Sequence, residues 1–257
     1  MDLGKLALLS FGGGLTSAAL AGAGLLLAEA VLTARRGFLP AETAPVQDGA
    51  VGDGSLPELR LALLGDAMAA GVGVMRSNDT VGRQVAQRLA RAGYRVQLST
   101  VAVAGSRTAD LGPQVSRALL RSPNIAIVLV GAGDATHGSR LESVRGNLGD
   151  AVARMRAAHV PVVVGCCPDL GAAPCFPQPL RSVVGWRGMQ VAAAEMSATE
   201  LAGGLPVDLA AATGGIFRAD RGTFSEDGFH PSPDGYRLWA EALLPSTLNA
   251  AQAHATL

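Results

Sequence analysis

Lysine is almost missing from this 257-residue chain: Lys5 is the only one, so arginine carries nearly all of a basic complement of 21 that balances 21 acidic residues. With zero formal net charge and its arginines dispersed, the chain lacks the basic footprint that grips phosphate backbones, which excludes nucleic acid as a partner. Cysteine is equally scarce. Cys166, Cys167 and Cys175 lie within ten residues of one another, too few and too close together to staple a fold. The four histidines, among them His137, His159 and His230, are scattered without metal-ligand spacing, so no metal is implied. The glycines around Gly65, Gly71 and Gly73 form no G-x-G-x-x-G fingerprint and no lysine follows them, so no nucleotide cofactor is implied either. Aromatic residues are 4% of the chain and charged residues 16%, against 49% hydrophobic, a balance that excludes disorder and leaves ample material for a core.

What is present begins with a stretch of 23 residues, Leu6 to Ala28, that carries no charge and could cross a hydrocarbon core of about 30 Å as a helix. Its glycines, Gly12, Gly13, Gly14, Gly22 and Gly24, suit a membrane span better than a soluble helix. A cleaved secretory leader is the competing reading, since Ala28-Glu29-Ala30 has the form of a cleavage site, although a leader's apolar region runs only about 7 to 15 residues. The expectation is an N-terminal transmembrane helix in an anchor or signal segment, residues 1–36. Arg35 and Arg36 after the span, against Lys5 before it, lean slightly towards a cytoplasmic bulk domain. Residues 37–58 (GFLPAETAPVQDGAVGDGSLPE) have no periodicity and are expected to be a flexible linker. The folded domain is expected over 59–246, with a frayed tail over 247–257.

Within the domain, short β-branched or apolar runs alternate with longer helical patterns, the signature of βα units and a parallel sheet. Strands are expected at Leu59 to Leu64, Val96 to Val101, Ile125 to Val130, Val160 to Val164 and Leu205 to Asp208. Helices are expected at Thr80 to Ala92, Leu111 to Arg121, Leu141 to Ala158, Leu180 to Ala202 and Ser232 to Leu243. Five parallel strands with helices on both faces make a three-layer α/β/α sandwich, in which ligands bind at the carboxyl ends of the strands.

Four segments sit at those ends. The first strand runs into Leu64-Gly65-Asp66-Ala67, the second into Ala104-Gly105-Ser106, the third into Gly131-Ala132-Gly133-Asp134, and Phe224-Ser225-Glu226-Asp227-Gly228-Phe229-His230-Pro231-Ser232 comes near the C-terminus. In this order they resemble the signature blocks of the SGNH (GDSL-type) hydrolase superfamily, a flavodoxin-like fold, from about Leu59 to Pro245. The likeness is closest to its actinobacterial, membrane-proximal branch, which Cys167-Pro168-Asp169-Leu170-Gly171 also fits.

The resemblance implies a carboxylic ester hydrolase. In that family a Ser of the first block is the nucleophile, main-chain amides of that Ser and of the second-block Gly line the oxyanion hole with a third-block Asn, and the last block's Asp-x-x-His supplies the base and its orienting carboxylate. Carried onto this chain, the base is His230, its partner Asp227 and the second-block glycine Gly105. Two positions depart from the pattern: Ala67 stands where the nucleophile belongs and Gly133 where the oxyanion Asn belongs. Loss of a triad nucleophile costs about a million-fold in turnover, and loss of an oxyanion donor about 10² to 10³. Ser106 and Thr80 are nearby hydroxyls, but neither occupies the turn after the first strand. The expectation is a pseudo-hydrolase that binds an acyl-ester or acetylated ligand or a protein partner, with an active but slow or atypical carboxylic ester hydrolase using Asp227 and His230, for instance through a His230-activated water, as the alternative. Asp66 and Asp134 read as turn and cap residues that shape the pocket, His137 and His159 as structural, and Trp186 and Trp239 as helix packing residues. Cys167 and Cys175 could bridge in an oxidising compartment and would be free thiols in a reducing one.

Overall fold

The structure is a computed structural model that describes residues 22, 24–33, 35 and 37–255. Most of the uncharged stretch from Leu6 to Ala28 therefore lies outside the described residues, and no helix among those described is long and apolar enough to cross a membrane.

A six-stranded sheet in the order β1-β3-β2-β4-β5-β6 forms the middle layer. Its strands are β1 (Gly49–Val51), β2 (Glu58–Gly65), β3 (Arg95–Thr100), β4 (Ile125–Leu129), β5 (Val162–Gly165) and β6 (Leu205–Val207). The central pairs are parallel, and every residue of β4 and β5 is buried, as continuous apolar runs covered on both faces should be. The helices are α1 (described over 24–33), α2 (Ala67–Ala70), α3 (Val81–Arg91), α4 (Leu111–Leu119), α5 (Ala132–Thr136), α6 (Leu141–Ala157), α7 (Leu180–Leu201), α8 (Leu209–Ala219) and α9 (Pro233–Ala255). α3 and α9 pack together on one face, α4, α6 and α7 on the other, which completes the three layers.

Two expectations are corrected here. The sheet has six strands because β1 pairs antiparallel with β3, and it lies inside the segment read as a linker. That segment is stitched down by polar groups that no hydropathy pattern registers. Buried Gln47 donates to the Ala69 and Ala70 carbonyls at 2.8 and 3.1 Å, and Asp48 accepts from the Thr100 amide at 2.7 Å. The segment read as a frayed tail is helical as far as it is described: α9 runs to Ala255, held past Pro245 by burial of Ala250 and Ala251.

Among the aromatic residues, Trp239 is buried on α9 whereas Trp186 on α7 is 56% exposed, so only the first is a packing residue. The three cysteines are free thiols. Burial pushes the Cys175 thiol up to about 12 and raises Cys166 and Cys167 as well, which makes all three poor nucleophiles.

Candidate active site

The site is built where β2, β3 and β4 end. At the end of β2 the chain must turn against the neighbouring strand, and Gly65 does so at φ +134°, where a Cβ would overlap the Leu129 carbonyl. Only glycine fits. The next residue, Asp66, donates its amide to that same carbonyl at 3.0 Å and caps α2 by accepting from the Met68 amide at 3.0 Å. Ala67 is thus the first residue of α2 and borders the cavity.

After β3, Gly105 turns at φ +83°, and Ser106 follows it with its hydroxyl accepting from the Gln114 side chain at 3.0 Å. After β4, Gly131 turns at φ +115° into α5, which carries Gly133 and Asp134. Asp134 is buried beneath this wall and accepts from both the amide and the hydroxyl of Thr108, at 2.9 and 3.0 Å, which ties the third block to the second.

The last block folds into a tight turn, with the Ser225 amide donating to the His230 carbonyl at 2.8 Å. His230 is buried, and its Nδ1 donates to Asp227 Oδ2 at 2.6 Å. The carboxylate is saturated around that bond. Its Oδ1 accepts from the Ser225 hydroxyl at 2.9 Å and the amides of Phe229 and His230 at 2.9 and 3.0 Å, while Oδ2 also accepts from the Leu39 amide at 3.1 Å. Burial alone would raise the Asp227 carboxyl, but these bonds, His230 foremost, outweigh it and hold the carboxyl well below the usual carboxylate range. An ionised Asp227 fixes the imidazole tautomer with Nδ1 protonated, which leaves the Nε2 lone pair for the cavity.

That cavity holds about 310 Å³. Ala67, Gly105, Gly133, Asp66 and His230 all border it, and Asp227 and Asp134 stand behind, so the residues singled out from four distant segments meet at one place. Burial pushes the Asp66 carboxyl up to about 6, partly offset by the Met68 amide and by His230. His137 also lines the cavity, its Nδ1 donating to the Gly133 carbonyl at 2.9 Å, whereas His159 is exposed at the end of α6. Among the described residues there is no cluster that could hold a metal ion.

The model of the GDSL-like lipase/acylhydrolase family matches residues 63–238, which is more than half of the chain and includes every block of this site. The chain belongs to that family. The GDSL-like esterase Rv1075c of Mycobacterium tuberculosis is 36% identical over 190 residues, a match that spans 72% of this chain and 60% of that protein's length. Among solved structures, a lipase/acylhydrolase from Enterococcus faecalis matches at 19% identity with a TM-score of 0.58, covering 76% of this chain and 96% of that one. An acetyl xylan esterase from Geobacillus stearothermophilus matches at 18% identity and a TM-score of 0.55, covering 76% and 95%. Likeness at such identity speaks for the GDSL fold and not for a substrate.

Three residues of this GDSL site escape a reading of the sequence. Gln114, on the inner face of α4, accepts from the Gly65 amide at 2.8 Å and donates to the Gly65 carbonyl at 3.0 Å, locking the first block's turn. Glu195 is fully buried in α7, where one carboxyl oxygen accepts from the Cys167 amide at 2.7 Å and the other has no partner. Burial pushes its carboxyl well up, towards the neutral form, and it fills the space beside Gly131 that a side chain would need. Its one signal in the sequence is a single charge within Val191-Ala192-Ala193-Ala194-Glu195-Met196. Leu39 lies in the segment read as linker, and nothing in its neighbourhood foretells a bond to Asp227.

Proposed function

We propose that this chain is an ester-binding GDSL protein that has lost the acyl-enzyme step: its pocket takes a carboxylic ester or acetylated ligand and does not form a covalent intermediate with it. The observation that carries the reading is Ala67 at the head of α2, bordering the same cavity as His230. Ester hydrolysis through an acyl-enzyme needs a hydroxyl whose proton the imidazole can take, and a methyl group has none to give. Gly133 removes a second contribution, a side-chain donor for the developing oxyanion. What remains is a shaped cavity bordered by Ala67, Gly105 and His230.

A second reading is supported by the intact pair of His230 and Asp227 at 2.6 Å. A neutral imidazole so held can draw a proton from water, and a water so activated would hydrolyse a bound ester directly and slowly.

One experiment separates the two. Release of nitrophenol from p-nitrophenyl acetate is followed for the unaltered chain, for His230→Ala and for Ala67→Ser at matched purity. The binding reading expects the first two to be indistinguishable from buffer and Ala67→Ser to gain at least about 10³-fold over the unaltered chain, a fraction of what a nucleophile is worth in a triad. Turnover by the unaltered chain that His230→Ala abolishes would establish the water route instead.

The uncharged stretch from Leu6 to Ala28 carries a proposal of its own, that the protein is held at a membrane with its bulk domain outside the bilayer. Release of the full chain from membranes by a high-salt or carbonate wash would refute it.

A further inference from the structure

The segment between α1 and β1 is part of the site's wall. Phe38, Leu39 and Ala41 border the 310 Å³ cavity that holds His230. Phe38 and Leu39 also border a second cavity of about 550 Å³, with Thr33, Gly37, Pro174 and Cys175 around it. The two residues are therefore a partition between a small cavity that contains the imidazole and a larger one that does not.

The partition is fixed at several points. The Leu39 amide donates to Asp227 Oδ2 at 3.1 Å. The Phe38 ring lies 4.6 Å from that of Phe229, tilted by 38°, and 6.4 Å from the His230 imidazole, edge-on at 89°. Upstream, buried Glu29 of α1 accepts from the Leu180 amide at 2.9 Å, which ties the helix to the start of α7. Downstream, the Thr43 amide donates to the Pro40 carbonyl at 3.1 Å and closes a turn over Ala41–Thr43.

We propose that Phe38 and Leu39 are specificity-determining residues: they close the acyl end of the His230 cavity, so that the site takes esters of short acyl groups, acetyl to butyryl, and turns longer chains away. The inference rests on the ester-binding reading above. A volume of 310 Å³ is at the small end of ligand pockets. Its walls beside the imidazole are apolar, supplied by Phe38, Leu39, Met68 and Phe229, which suits an alkyl chain. Trimming the Phe38 ring joins the two cavities and gives a longer chain somewhere to go.

The test is binding of ethyl butyrate and ethyl octanoate to the full chain by ligand-observed saturation-transfer NMR, repeated for Phe38→Ala and Phe38→Trp. The unaltered chain should bind the butyrate at least tenfold more tightly than the octanoate. Phe38→Ala should lower the butyrate-to-octanoate preference to within threefold of unity, whatever it does to the absolute affinities, and Phe38→Trp should keep it. Because Phe38 is 41% exposed, the alanine variant is expected to fold, and its circular dichroism checks this. Equal binding of both esters by the unaltered chain, or a preference that Phe38→Ala leaves unmoved, overturns the partition and leaves ester binding standing. Binding of neither ester overturns both.

Discussion

Gln114 and the backbone of Gly65 exchange a reciprocal pair of hydrogen bonds, 2.8 Å into the glutamine oxygen and 3.0 Å out of its amide. The pair does for the first turn of the site what a neighbouring strand does for a strand residue, and it does so from a helix. Gln114→Ala strands the buried Gly65 amide and frees the Ser106 hydroxyl. A loss of about 1 to 3 kcal/mol is expected, read as a lower urea midpoint with an unchanged slope.

At Gly65 itself no side chain is admissible, because φ is +134° and a Cβ would overlap the Leu129 carbonyl. Gly65→Ala should fall among the severe substitutions, about 4 kcal/mol or more, and leave little folded protein at 37 °C. A melting temperature within a few degrees of the unaltered chain would contradict the close approach of β2 and β4.

Two carboxyls of the site should give stability opposite slopes with pH. Asp66 is pushed up to about 6 by burial, so the folded state binds its proton more tightly than the unfolded chain does. Its contribution is therefore complete below about pH 4 and lost as pH rises through about 6, a cost on the order of 3 kcal/mol at neutral pH. Asp227 is held low, so its contribution is present above about pH 4 and lost as pH falls further. Asp66→Asn should be the more stable protein at pH 8, with the advantage gone at pH 4, whereas Asp227→Asn should be less stable at pH 8 and show a flatter acid limb. Denaturation midpoints across pH 3 to 8 check both, and parallel profiles would rule the assignment out.

Restoring the missing oxyanion donor is harder than restoring the nucleophile. A Cβ at Gly133 would lie 3.1 Å from Arg107 Cγ and 3.2 Å from the Ser106 carbonyl, so the Arg107 side chain occupies space an asparagine would need. Ala67→Ser with Gly133→Asn should therefore hydrolyse p-nitrophenyl acetate no faster than Ala67→Ser alone. Adding Arg107→Ala should then release a further gain of about tenfold or more, part of what an oxyanion donor is worth. If the double variant already outpaces the single one, Arg107 does not obstruct the site.

The parts of this molecule that can be read in its sequence are those fixed by hydrophobic repetition and short-range turn chemistry. Ile125–Leu129 and Val162–Gly165 announce themselves as buried strands, whereas Gly65-Asp66 and Asp227-His230 are picked out by their resemblance to the family's signature blocks, each of which lies within a few residues. The rest depends on pairing across long separations. Gln47 reaches Ala69, Leu39 reaches Asp227 and Glu195 reaches Cys167 through polar bonds whose partners share no local signal. β1 is three residues of Gly, Ala and Val, too short to show an alternating pattern, and it exists because β3 offers it a ladder. The continuation of α9 past Pro245 likewise follows from what Ala250 and Ala251 bury, not from propensity.

β1, the strand hidden in the presumed linker, also changes how the molecule meets its own copies. Without it the sheet would end on the six residues of β3, an unpaired row of amides and carbonyls long enough to recruit a strand from a neighbouring chain. With it, both borders of the sheet are three residues long, and the other border, β6, carries Pro206, which has no amide to offer. Gly49, Ala50 and Val51 thus cover the edge of β3 that another copy would otherwise pair with.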